Sequence, residues 1–208
     1  MKIQPATKIV APIVPYATVG IGLLVFHNAW LAILAYHAGM IGVISLSGTG
    51  FSIMQSFRGK GFMVPLISAV AGVGGGLALR LIWPSVSPPG AVSTYVRSIG
   101  LNEGTWPVFL LYFVVVNPLV EECYWRGYLG SATRRVTLDD VLFAGYHLIV
   151  LAGQVRAIWI IAAFCALSGV AWFWRQVNRL NGRLLPSVVS HMTADITVMV
   201  TVYYMSMR

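Results

Sequence analysis

Seven apolar stretches make up most of this sequence, and several are long enough to cross a lipid bilayer. A spanning helix needs about 20 mostly apolar residues. Residues 62–83, 106–129, 157–175 and 184–205 read as such spans, and 139–154 as a shorter apolar segment. The block from Ile9 to about Leu46 is too long for one span and marginal for two. We divide it into 9–26 and 29–47, with a tight turn at His27-Asn28. One long tilted helix after an interfacial segment is the alternative. Residues 84–105, with Pro84, Pro88, Pro89 and Gly90, read as a polar loop.

Charge is scarce to match. The chain has 14 Lys and Arg and six Asp and Glu in 208 residues, 10% charged against about 25% in soluble domains. With 58% hydrophobic residues there is too little polar surface to coat a water-soluble globule. Disorder, a coiled coil and an ordinary soluble enzyme are excluded. The net charge of +8 does not point to nucleic acid, because the basic residues sit singly or in small groups between apolar runs. Cys123 and Cys165 form neither a CxxC pair nor a disulfide framework.

Loop charges orient membrane helices. With seven segments, Lys2, Lys8, Arg58, Lys60, Arg134, Arg135, Arg175, Arg179 and Arg183 fall on one side. Arg80, Arg97, Arg156 and Arg208 fall on the other. With one span in the first block the bias all but disappears. The expectation is an all-α polytopic membrane helix bundle of about seven segments (six to eight), residues 1–208 forming a single domain. The N-terminus is expected to be cytoplasmic and the location a bacterial inner (cell) membrane. Trp83, Trp106, Trp172 and Trp174 lie at segment ends, where interfacial tryptophans are enriched. Gly72 and Gly76 form a GxxxG, which suits close helix packing.

Ionisable groups inside membrane segments are costly and are functional candidates. Asp139 and Asp140 fit a helix N-terminus, and Glu103 lies in a loop. Glu121 and Glu122 follow the apolar run Phe109–Val120. Arg126, four residues after Glu122, shares its helix face. An intrahelical ion pair accounts for one glutamate, but the other points about 100° away. Asn117-Pro118 is expected to kink the helix and help expose Glu121 to a cavity. Phe143 and His147 share a face of a short apolar segment, and His191 and Asp195 share one in the last span. His147 alone suits packing, and the His191–Asp195 pair alone suits a simple hydrogen bond. Hydrocarbon drives such groups together, and a converged set could activate water. His27 and His37 are assigned to structure.

The motifs Glu121-Glu122-xxx-Arg126, Phe143-xxx-His147 and His191-xxx-Asp195, in this order, resemble those of the CPBP intramembrane proteases. That family comprises CAAX proteases and bacteriocin-processing enzymes and is also called the Abi family. The motif-bearing core covers about residues 106–205. The resemblance implies an all-α bundle with a polar cavity and hydrolysis of a peptide bond in a membrane-anchored protein or peptide. By that analogy Glu121 is the general base, helped by His147. Glu122 orients Arg126 and braces the site, and His191 with its partner four residues on stabilises the oxyanion. Asp195 departs from the pattern, since an asparagine amide can donate to an oxyanion and an ionised aspartate repels one. Asp195 must then carry a proton, orient His191 or bind a metal. Glu121, His147, His191 and Asp195 would also make a reasonable Zn²⁺ set, although a metal-free glutamate mechanism is preferred. Two other functions use the same residues: a non-catalytic immunity or sorting scaffold, and an ion-coupled transporter. No inverted repeat supports the transporter.

Overall fold

The computed structural model describes residues 10–59 and 61–206, and no strand occurs among them. Lys2, Lys8, Lys60 and Arg208, which enter the side-to-side charge count, lie outside the described residues. The chain folds as an all-α bundle. The helices are α1 (Ile13–Gly20), continued by the π-helical Ile21–Val25, then α2 (Ala29–Ser47) and α3 (Gly50–Gln55). They continue with α4 (Met63–Val86), α5 (Ala91–Ser98) and α6 (Trp106–Glu121), the last extended by the π-helical Glu122–Tyr128. The chain ends with α7 (Leu138–Leu151), α8 (Ala157–Asn181) and α9 (Leu185–Ser206).

All seven apolar segments are helical, but their lengths differ. Five meet the length and hydropathy of a membrane span: α2, α4, α6 with its extension, α8 and α9. Ile13–Val25 and Leu138–Leu151 are shorter, so a count of seven full-length crossings is not reached among the described residues.

The first block does divide at His27-Asn28. Asn28 is extended, and its side chain accepts from the Leu31 amide at 2.9 Å, capping α2. His27 takes φ +47° to make the turn. The expected polar loop is instead part helix. Pro84 lies inside α4, and α5 follows Pro88-Pro89-Gly90, burying Val92 and Val96 one turn apart. Asp140 behaves as a helix-start residue: Thr137 and Asp140 form a capping box on α7.

The most extensive packing is between α4 and α9. A Cβ at Gly72 would collide with the Ser190 carbonyl and the Thr193 hydroxyl, and one at Gly76 with Thr197. Close approach through small residues therefore seats α9, and the Thr193 hydroxyl donates to the Ala69 carbonyl at 2.8 Å across the seam. Helix α9 also packs on α6 and α8, α2 on α6, and α7 on α8 and α1. Leu66, Ile67, Leu77, Leu81, Ile158 and Ile161 are exposed on the outer faces of α4 and α8, as lipid contact requires. The interior brings together α2, α6, α7 and α9. Two tryptophans expected at the interface belong to that interior: Trp106 and Trp174 are buried. Cys123 and Cys165 are free.

Candidate active site

The two glutamates straddle a change of helix type. Glu121 closes α6, and Glu122 opens the π-helical extension. The Leu129 amide donates to the Tyr124 carbonyl at 2.9 Å, five residues back, which marks the widened turn. Arg126 Nη1 lies 3.1 Å from Glu122 Oε1, an ion pair with both side chains buried. The pair is close but not aligned: neither Nη1 nor Nη2 makes a hydrogen bond, and Glu122 Oε2 is also unpartnered. The guanidinium instead lies over the Phe143 ring at 4.1 Å and near Trp174 at 5.2 Å, where aromatic faces offset part of its desolvation. Phe143 is thus a seat for the cation.

His191 stands where the acids meet. Its Nδ1 is 3.0 Å from Glu122 Oε1, so Nδ1–H donates to that carboxylate. Its Nε2 is 3.7 Å from Glu121 Oε2 and 3.6 Å from Asp195 Oδ1. The ring stacks on Trp174 at 4.4 Å, which fixes its plane. Asp195 Oδ2 accepts from Asn117 Nδ2 at 3.3 Å. Asn117 Oδ1 is 3.1 Å from His37 Nε2, and His37 Nδ1 is 2.9 Å from the Tyr112 hydroxyl. A carbonyl oxygen only accepts, so His37 Nε2 donates and Asn117 is left with its amide aimed at Asp195. The assignment of His37 to structure is therefore incomplete, because it orients a neighbour of Asp195. His27 stays at the α1–α2 turn.

Glu121 is 1% exposed, so no opening at Asn117-Pro118 brings it to a cavity in this form. The helix continues through Pro118. Two hydroxyls cover the carboxylate: Tyr36 donates to Oε1 at 2.9 Å and Tyr146 at 2.5 Å. Oε2 is buried without a hydrogen-bond partner. His147 reaches this centre indirectly. Its Nδ1 faces the Phe143 carbonyl at 2.8 Å, and its Nε2 faces the Tyr146 hydroxyl at 3.2 Å.

The structure thus brings Glu121, Glu122, Arg126, Phe143, His147, His191 and Asp195 into one cluster, buried except at the half-buried His147 and Asp195. Sequence reasoning missed Tyr36, Tyr146, Asn117 and Trp174 as members. Tyr36 and Tyr146 each directly precede a histidine that was singled out, a weak signal. Among the described residues no group of three or more His, Cys, Asp or Glu is arranged to hold a metal ion.

Residues 103–197 match the family model described as Type II CAAX prenyl endopeptidase Rce1-like. Neither a curated protein nor a solved structure matches the chain. The matched stretch runs from just before α6 into α9 and holds all three motifs. Residues 103–197, which carry all three motifs, are thus similar to the Rce1-like type II CAAX prenyl endopeptidases.

Proposed function

We propose that this protein is an intramembrane endopeptidase that hydrolyses a peptide bond of a membrane-anchored protein or peptide with water activated by Glu121. The observation that carries the reading is the free oxygen of Glu121: Oε2 is buried, unpartnered and 3.7 Å from His191 Nε2. A buried carboxylate oxygen without a donor is costly, and a water there would satisfy it. It would also stand beside a general base. Glu121 takes a proton from that water as the oxygen attacks the scissile carbonyl. A proton on His191 Nε2 makes that atom the donor facing the developing oxyanion, because Nδ1–H is already committed to Glu122. Glu122 and Arg126 brace the imidazole. Asp195, held by Asn117, orients His191 and does not itself touch the oxyanion. This gives an ionised aspartate a use at a position where it cannot donate.

The substrate side is open between a prenylated CAAX-type C-terminus and a C-terminal membrane anchor of a sorted protein. We further take the N-terminus to face the cytoplasm of a bacterial cell and the reaction to need no metal. Comparison of membrane-protein C-termini in cells with the wild-type chain and with Glu121→Ala tests the reading. Termini that appear only with Glu121 intact are expected, at equal levels of inserted protein. Identical termini in both would sink it. Cleavage should also survive a strong zinc chelator; loss on chelation with return on added zinc would replace the metal-free mechanism.

A further inference from the structure

In this fold His147 makes no direct bond to Glu121; the Tyr146 hydroxyl lies between them, 2.5 Å from Glu121 Oε1 and 3.2 Å from His147 Nε2. We propose that His147 acts on Glu121 through this hydroxyl, and that Tyr36 and Tyr146 are positioning residues that make Oε2 the basic oxygen. The proposal rests on reading Glu121 as the base and adds how that base is aimed and assisted.

The hydrogen inventory supports the link. The Phe143 carbonyl can only accept, so His147 Nδ1, 2.8 Å away, carries a hydrogen. In the neutral ring Nε2 then carries a lone pair, directed at Tyr146. Tyr146 has one hydroxyl hydrogen and two acceptors. While Glu121 is ionised the hydrogen goes to the carboxylate, the stronger acceptor, and the shorter distance agrees. Tyr36 supplies a second donor to the same oxygen, at 2.9 Å. Both donors bind Oε1, and Oε2 has none. Two bonds on one oxygen also stop the carboxylate from rotating about its own axis.

The tyrosine rings are locked, so the hydroxyl hydrogen is the moving part. Tyr146 stacks on Trp125 with ring planes 9° apart, and its ring centroid lies 5.3 Å from that of Tyr36. Both tyrosines are buried. When water attacks, its O–H bond breaks, the proton joins Oε2, and the oxygen bonds the carbonyl carbon. Glu121 is then neutral and Oε1 a weaker acceptor. Tyr146 turns its hydrogen to His147 Nε2. When the C–N bond breaks, Oε2 gives its proton to the leaving nitrogen. Glu121 is a carboxylate again, and the Tyr146 hydrogen returns. Tyr146 keeps its own proton throughout, and no atom is left over.

The test needs no substrate. The chain has only three glutamates, Glu103, Glu121 and Glu122. Protein labelled with ¹³C at the glutamate carboxyl and placed in lipid should give three carboxyl NMR signals. Glu121→Gln and Glu122→Gln assign them. Tyr146→Phe, which keeps the ring and removes only the hydroxyl, should move the Glu121 signal. His147→Gln should move it in the otherwise wild-type chain and leave it in place in Tyr146→Phe. A signal that ignores Tyr146→Phe, or that His147→Gln moves equally in both backgrounds, overturns the link. On a terminus whose cleavage depends on Glu121, Tyr146→Phe should lower kcat about 10- to 100-fold with KM unchanged. Unchanged kcat would leave the link without a catalytic role. If no Glu121-dependent terminus exists, the protease reading fails, and the NMR result still decides the link.

Discussion

Among the described residues two buried carboxylate–guanidinium pairs stand out, and they are built to opposite standards. Arg175 donates to Asp140 at 3.0 and 2.6 Å, and to the carbonyls of Ser131, Thr133 and Arg135 at 3.3, 2.6 and 2.6 Å. Asp140 also accepts from the amide and hydroxyl of Thr137 at 2.9 and 3.0 Å. In the other pair, Arg126 reaches Glu122 at 3.1 Å with no aligned hydrogen bond. Beside it Glu121 Oε2 and Glu122 Oε2 have no donor. Burying a charge is expensive unless its lone pairs and hydrogens are met. The first pair meets them and ties the segment between the π-helical turn and α7 to α8. The second leaves them open beside two further carboxylates and an imidazole. Incompleteness, more than burial or charge, separates the place where chemistry can occur from the place that holds the fold.

That contrast can be broken by exchanging the outcomes. The largest effect on stability is expected at the complete pair. Arg175→Leu leaves the Asp140 carboxylate buried without its cation and the Ser131 and Arg135 carbonyls without a donor, at a cost of about 3–5 kcal/mol. Thermal unfolding in detergent should show the loss, and the folded remainder should still cleave. Full stability, or inactive folded protein, would contradict the division of roles.

A smaller effect is expected at Asp195. Asparagine there keeps an oxygen that can accept from Asn117 or His191, whereas leucine keeps neither. Asp195→Asn should retain cleavage to within about tenfold, and Asp195→Leu should lose about 100-fold, the scale of a hydrogen bond to a charged group. A dead Asp195→Asn alongside an active Asp195→Leu would remove its orienting role.

The smallest effect is on acid stability. Burial pushes the Asp140 carboxyl up, but the bonds from Arg175 and Thr137 outweigh it and hold the carboxyl below its usual range. A carboxyl depressed on folding stabilises the protein above its unfolded value, near pH 4, and that contribution fades as pH falls through the folded value. Between pH 5 and pH 3 the wild-type chain should lose more thermal stability than Asp140→Asn does. Parallel curves would show that Asp140 contributes nothing.

Much of this was legible in the sequence because hydrocarbon simplifies the code. Long apolar runs announce α2, α4, α6, α8 and α9, and Glu121, Glu122, His147, His191 and Asp195 stand out against them. The i,i+4 spacings of Glu122 with Arg126 and of His191 with Asp195 were readable because one helix fixes both ends. Gly72 and Gly76 were readable for the same reason. Contacts between helices were not. Tyr36 and Tyr146 meet Glu121 from 85 and 25 residues away, and no helix period reports that. Trp174 was read as an interfacial anchor because a segment end and a buried stack on His191 look alike in one dimension. The loop reading of α5 failed differently: its cue, Val92 and Val96 four residues apart just after Pro-Pro-Gly, was present but outweighed by the turn residues around it. The π-helical turn after Glu121 has no cue that we can identify.

The central claim is that Glu121 is the base and that its carboxylate is spared from structural duty. The direct measurement is cleavage of a Glu121-dependent substrate terminus by the purified chain in proteoliposomes, beside the melting temperature of the same preparation. Glu121→Gln is predicted to lower kcat by about 10³-fold or more, while changing stability by no more than about 1 kcal/mol. A Glu121→Gln protein that cleaves within a few fold of wild type, or that fails only because it no longer folds, would contradict the account.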